Sequence, residues 1–182
     1  LLLSMTRRER ALPRWVAWTN PLIGYVKLNI DGSSLGNPGH SGAGGVLRDS
    51  AGNILRVFSS FLGARTNMEG EAMALLEGML LSAEYQVLHV EIDYQVLLNM
   101  GKGDGRIPWR LWGTVSRIKS LALGRQIAFT HVYREANSIA DALTTLASST
   151  RVHQSFTHST LPDHIRRLAR LDRVQMPYVR LA

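Results

Sequence analysis

Thr66-Asn67-Met68-Glu69-Gly70-Glu71-Ala72-Met73-Ala74-Leu75-Leu76-Glu77-Gly78-Met79-Leu80 is the stretch where the chain changes period. Met68, Ala72, Leu75, Leu76, Met79 and Leu80 recur at spacings of three and four, the signature of an amphipathic helix across residues 68–84. Thr66 or Asn67 can cap its start. Everything before it reads differently. Tyr25 to Asp31 alternates as a strand, Gly36-Asn37-Pro38-Gly39 is a turn, Gly42 to Asp49 is a second strand, and Ser50-Ala51-Gly52-Asn53 closes a hairpin onto a third strand, Ile54 to Leu62. After the helix, strand and helix alternate. Val87 to Asp93 is a strand and Gln95 to Met100 is helical. Gly101 to Gly105 is a loop, and Pro108 opens a helix through Leu121. Gln126 to Tyr133 is a fifth strand and Ala136 to Ala147 a further helix. Three strands followed by alternating helices and strands predict an α/β domain with a mixed sheet.

With 182 residues and 45% hydrophobic content, the chain suits one domain with tails. Asn20-Pro21 marks the expected start of that domain, so the division is a basic extension over 1–20, the domain over 21–150 and a basic tail with a short helix over 151–182. There is no cysteine, which excludes disulfides, zinc–thiolate centres and cysteine nucleophiles. No apolar run approaches the roughly 20 residues of a membrane helix, so no membrane partner is expected. The first residue is Leu, and the chain is read as a fragment or a trimmed product, with a larger polyprotein as one source. The net charge of +7 resides at the ends: four Arg against one Glu in 1–20 give +3, and six Arg against two Asp in 151–182 give +4. Basic ends suit a phosphate-rich partner. Ile165, Leu168 and Leu171 share one face of the last helix, which leaves docking on the domain, a protein partner and nucleic acid all open.

Four acids fall at comparable places. Asp31 ends the first strand, Glu71 lies near the start of the first long helix, Asp93 ends the fourth strand and Asp141 lies in the last helix of the domain. Sites of open α/β sheets form where strand ends meet helix ends. Carboxylates gathered there repel one another, and hard divalent cations with oxygen ligands relieve the repulsion. A pair of such ions about 4 Å apart can clamp the attacking and leaving oxygens of a phosphodiester.

These residues resemble a known family. Asp31-Gly32-Ser33-Ser34-Leu35-Gly36-Asn37-Pro38-Gly39, Thr66 to Leu75, Val90-Glu91-Ile92-Asp93 and Arg134-Glu135-Ala136-Asn137-Ser138-Ile139-Ala140-Asp141 look like the four motifs of type 1 ribonuclease H, in order and at fitting spacing from about residue 24 to 148. Lys27-Leu28-Asn29, Gly44 to Asp49, His131 to Asn137 and the tail segments around Leu161, Leu171 and Pro177 are similar to plant ribonuclease H-like domains related to non-LTR retrotransposon reverse transcriptases. The resemblance implies a ribonuclease H-like fold, a five-stranded mixed sheet in order 3-2-1-4-5 with helices on both faces. It implies hydrolysis of the RNA strand of an RNA–DNA hybrid, leaving a 5′-phosphate. Two Mg²⁺ (or Mn²⁺) ions would be held by Asp31, Glu71, Asp93 and Asp141. Gly32, Ser33, Asn37, Asn67 and Asn137 would lie beside the nucleic acid, with Asn amides reaching minor-groove atoms and the ribose 2′-OH. A monomer in the nucleus or cytoplasm is expected.

Glu69 competes with Glu71, because residues two apart on a helix point about 200° apart; counting back from Ala74-Leu75 favours Glu71. His131 and Arg134 are auxiliary candidates, the first also readable as a half-buried strand histidine. Bacterial relatives carry a longer basic helix and loop before the Pro108 position. Here that region offers only Lys102, Arg106 and Arg110, which keeps an alternative open: a domesticated nucleic-acid-binding module that cuts weakly or not at all. Trp109 and Trp112 are expected to pack in the core or an interface.

Overall fold

The computed structural model describes residues 13–95, 97, 99 and 107–180. Its strands are β1 (Arg14–Val16), β2 (Val26–Gly36), β3 (Gly39–Arg48), β4 (Ile54–Arg65), β5 (Val87–Ile92), β6 (Gln126–His131), β7 (Gln154–Phe156) and β8 (Tyr178–Arg180). Its labelled helices are α1 (Asn67–Leu81), α2 (Trp112–Ala122), α3 (Ser138–Thr150) and α4 (Asp163–Arg173). The predicted Gly101–Gly105 loop, Lys102, Arg106 and the arginines before residue 13 lie outside the described residues. So does part of the predicted Gln95–Met100 helix, of which Gln95, Leu97 and Asn99 are helical.

The main sheet runs β6-β5-β2-β3-β4-β7. The expected five strands stand in the expected order, and a sixth, β7, adds to the β4 edge through Val57↔Phe156 to Ser59↔Gln154. At three residues, β7 is too short for alternation to reveal. β2, β3 and β4 are antiparallel, whereas β2, β5 and β6 are parallel. The β2–β5 register ends at Ile30↔Ile92, which sets the next residues, Asp31 and Asp93, side by side. Asp31 does not end its strand as expected, because β2 runs on to Gly36 against β3, with Asp31 opposite Gly44. Val132 N–H donates to Ile92 O (3.0 Å), which carries the register of β6 to the same end.

Side chains alternate across the strands, and two cores result. On one side Leu28, Ile30, Ala43 and Leu47 pack with Leu75 and Met79 of α1 and with Val115 and Ile118 of α2. On the other, Val46 and Val57 pack with Ile139 and Leu143 of α3 and Ile165 of α4. α1 begins with a capping box: Glu69 N–H donates to Thr66 Oγ1 (3.2 Å) and Thr66 N–H donates to Glu69 Oε2 (2.8 Å). Gly32 and Gly70 let α1 lie against β2: a Cβ on Gly32 would stand 2.3 Å from the Gly70 carbonyl carbon, and one on Gly70 would stand 2.8 Å from Ser41 Oγ. That contact explains a glycine inside a helix, where it otherwise costs about 1 kcal/mol relative to Ala.

The C-terminal segment docks on this body. Leu161 and Ile165 are buried in the α3 core, and β8 pairs with β1 from Arg14↔Arg180 to Val16↔Tyr178. Trp109 and Trp112 do not pack in the core; they are 72% and 64% exposed. The buried face of their region is Leu111, Val115 and Ile118, and Trp112 falls about 100° around the helix from Leu111.

Candidate active site

The place where β5 stops beside the middle of β2 is acidic. Asp31, Glu71 and Asp93 each offer an oxygen, and these atoms lie within 4.8 Å of one another. Three pieces of local structure place them. β2 delivers Asp31, whose own carbonyl accepts from Thr144 Oγ1 of α3 at 2.9 Å. β5 delivers Asp93 through the parallel register. α1 delivers Glu71, whose Oε2 accepts from Gly32 N–H at 3.2 Å across the close helix–strand contact. Glu69 is directed away into the capping box.

The electrostatics are unfavourable without a cation. Burial pushes the Asp31 carboxyl up to about 7, with Asp93 and Asp141 adding repulsion against a lowering hydrogen bond from Thr144 and the positive Arg134. Burial also drives Glu71 well above the usual carboxylate range, helped by Asp31 and Asp93 and opposed by the Gly32 amide. Asp93 is raised by burial, with Arg134 pulling against it. Asp93 Oδ1 is buried and has no hydrogen-bond partner among the described residues. Three close carboxylates, one with an orphaned oxygen, are the donor set that a hard divalent cation takes.

Asp141 stands outside this trio. Its Oδ1 accepts from Arg134 Nε at 2.9 Å and from Arg134 Nη2, and it faces solvent in part. It remains near enough to raise Asp31. Arg134 itself is 71% exposed at the side chain. His131, at the end of β6, is exposed rather than half-buried, and its ring stands edge-on to Tyr133 at 5.4 Å.

The residues expected along nucleic acid divide. Ser33 is half-buried next to Gly32, and Asn37 and Asn67 are exposed beside it. Asn67 Oδ1 accepts from Ser34 N–H (2.9 Å), and Asn37 Oδ1 accepts from Asn67 N–H (3.1 Å), so the two loops hold each other. Asn137 does not join them. It is 1% exposed, its Nδ2 donates to Ile30 O (2.9 Å) and its Oδ1 accepts from Asn29 (3.1 Å), so no ligand backbone can reach it. The sequence motifs assign no role to Thr144, Asn29 or Glu91, which the structure places around Asp31 and its strand. The available signal was the run Lys27, Asn29, Asp31, three polar residues alternating with Leu28 and Ile30 in a strand bordered by a strand on each side.

Residues 29–147, more than half of the chain, match the family model described as reverse transcriptase-like. An Arabidopsis thaliana protein named as a ribonuclease H protein is 34% identical over 140 residues, 75% of this chain; the match spans only 22% of that relative's length. RNase H1 of the halophilic archaeon Halobacterium salinarum superimposes with a TM-score of 0.65 at 28% identity, covering 69% of this chain and 98% of that one. LC11-RNase H1, solved in complex with an RNA/DNA hybrid, gives the same TM-score and coverage at 26% identity.

Proposed function

Because the chain belongs to the reverse transcriptase-like family and has the ribonuclease H fold, we propose that it is a metal-dependent endonuclease that hydrolyses the RNA strand of RNA–DNA hybrids. The observation that carries the reading is the convergence of Asp31, Glu71 and Asp93 within 4.8 Å where the parallel pairing of β2 and β5 ends. Those three would hold Mg²⁺ or Mn²⁺, with Asp141 completing the set for a second ion. Such ions, when bound, supply an activated water and neutralise the departing 3′ oxygen. The chain's own residues do the rest. Gly32 is buried, and the room its missing side chain leaves is taken by the Gly70 backbone, so its part is to seat α1 and with it Glu71, not to face a ligand as expected. Asn37 and Asn67, exposed at the adjoining rim, are placed to bond minor-groove atoms and the 2′-OH that separates RNA from DNA. Arg134 offers its guanidinium to a phosphate oxygen once it leaves Asp141.

A hybrid-binding module that no longer cuts is the second reading, and the Arg134–Asp141 pair favours it by occupying one carboxylate. The weight of that pair is small: with Arg134 largely exposed it is worth roughly 0–1 kcal/mol, less than a dication offers a carboxylate among other carboxylates. The deciding experiment incubates a labelled hybrid with Mg²⁺ or Mn²⁺ and compares wild type with Asp31→Asn and Asp93→Asn. Metal-dependent cutting by the wild type alone, leaving 5′-phosphate ends, is expected. Equal behaviour of all three ends the nuclease reading, and tight hybrid binding without turnover establishes the second one.

A further inference from the structure

Beneath Asp31 the same strand enters a buried polar network that leads to both chain ends. Lys27 Nζ donates to Glu91 Oε1 (2.6 Å), and Asn29 Nδ2 donates to Glu91 Oε2 (2.8 Å). Asn29 Oδ1 accepts from Trp18 Nε1 (3.0 Å) and from Arg48 Nη2 (2.7 Å). Arg48 stacks 3.5 Å from the centroid of the Trp18 ring and donates through Nη1 to Asp172 Oδ2 of α4 (2.7 Å), while Tyr178 OH of β8 donates to Asp172 Oδ1 (3.2 Å). Arg48 and Asp172 are each 1% exposed. At its other end the network runs from Asn29 to Asn137 and from Asn137 to Ile30 O, the carbonyl immediately before Asp31.

A second connection reaches the other side of the site. Arg180 of β8 donates to Glu135 Oε2 (3.1 Å) and lies 4.4 Å from the centroid of the Tyr133 ring. Those two residues flank Arg134, the partner of Asp141. Both connections start in residues 172–180, which lie outside the 29–147 region that matches the family. Neither ends in bulk core: one ends on the backbone that aims Asp31, the other on the turn that aims Arg134 at Asp141.

We infer that the C-terminal segment braces the carboxylate site, with Arg180 and Asp172 as positioning residues for Asp141 and Asp31. This rests on the reading of the site as a metal-dependent nuclease centre. A segment that only stapled the domain would make the rest of the chain more stable without changing the site's demand for metal. A brace makes the metal requirement depend on Arg180, as supporting partners of ligands do, typically by 10–100-fold in affinity or activity.

The test uses the full chain with Arg180→Ala and Arg180→Lys, since Asp172→Asn strands a buried Arg48 and can unfold the protein. Three quantities are read: kcat and KM on a hybrid, the Mn²⁺ concentration giving half-maximal cleavage, and hydrogen exchange of the Ala136 amide, which donates to Tyr133 O. Arg180→Ala is expected to lower kcat and raise the Mn²⁺ requirement about tenfold or more with KM within twofold, and to speed Ala136 exchange. Arg180→Lys, which keeps the charge over Tyr133, recovers most of both. Unchanged metal requirement and unchanged exchange in Arg180→Ala overturn the brace, as does a Lys variant no better than Ala. If the wild type neither cuts nor binds Mn²⁺, the nuclease reading fails by itself, and the Ala136 exchange still decides whether Arg180 holds the turn.

Discussion

Lys27 and Asn29 on one face of β2 are buried and fully partnered, whereas Asp31, two residues further along the same face, is buried among its own kind. Depth does not separate them, since all three are no more than 5% exposed. The difference lies in the sign of what surrounds them. Lys27 has Glu91, Asn29 has Glu91, Arg48, Trp18 and Asn137, and Arg48 has Asp172, so each buried charge is offset as buried charges must be. Asp31 meets Asp93 and Glu71, and Arg134 stays out at the surface. A fold able to offset the charges of Lys27 and Arg48 around Asn29 but not the carboxylate two residues on has a reason for the exception, and such local violations mark functional sites.

The largest test of the contrast neutralises Asp31. Asp31→Asn should reduce hybrid cleavage on the order of 1,000-fold or more, about 4 kcal/mol of transition-state stabilisation. In the same protein without metal it should raise the melting temperature, because it removes a buried repulsion. Loss of activity with a lowered melting temperature would mean that Asp31 is held like Asn29, and the contrast would be gone. Next comes Asp172→Leu, which leaves Arg48 buried without its carboxylate and should lower stability by about 3–5 kcal/mol in urea unfolding. Arg48→Met added to it should recover much of that loss, since replacing a whole buried pair with apolar groups is often neutral.

A pH scan sharpens the contrast further. The Asp31 carboxyl is raised from 3.8 to about 7 in the fold, so the folded state favours the protonated acid. Below pH 4 both folded and unfolded chains hold that proton and the penalty is absent. Between about 4 and 7 the unfolded chain has lost it and the folded chain has not, so stability falls as pH rises, by about 1.4 kcal/mol per unit from this group, and levels off above 7. Metal-free protein should therefore melt at a lower temperature at pH 8 than at pH 5, and Asp31→Asn should flatten the slope. A melting temperature that climbs across this range in both proteins would contradict the electrostatics assigned to the site.

The legible parts of the molecule are those written in local pattern. The change of period at Thr66 marks the α/β class, and the end of β5 places Asp93; Asp31 stands beside it through the parallel register, although its own strand runs on to Gly36 instead of ending there as read. What escaped reading depends on partners distant in sequence. β7 is three residues long and is defined only by β4, the burial of Trp18 only by Asn29 and Arg48, and the role of Asp172 only by a strand 124 residues earlier. Asn137 shows the same limit from the other direction. Its motif resembles a ligand-facing one, yet a buried amide between Asn29 and Ile30 is a structural tie that spacing alone does not distinguish from a contact. Trp109 and Trp112 are not in the core, the first of the two places expected for them, because the spacing of Leu111, Val115 and Ile118 assigns the buried face.

The smallest effect isolates burial from geometry. Arg56 and Glu84 meet at 2.7 Å, the same separation as Arg48 and Asp172, but their side chains are 49% and 53% exposed. Water screens them and already solvates each alone, so Glu84→Gln should change stability by less than about 1 kcal/mol, and the difference should disappear near 1 M salt, where the screening length is about 3 Å. Asp172→Asn should cost several times more and respond little to salt, because no ions reach the pair. Comparable losses in the two variants would show that N–O distance, not the missing water, sets the strength of these pairs. The argument from unpartnered burial at Asp31 would then lose its footing as well, since it relies on the same exclusion of solvent.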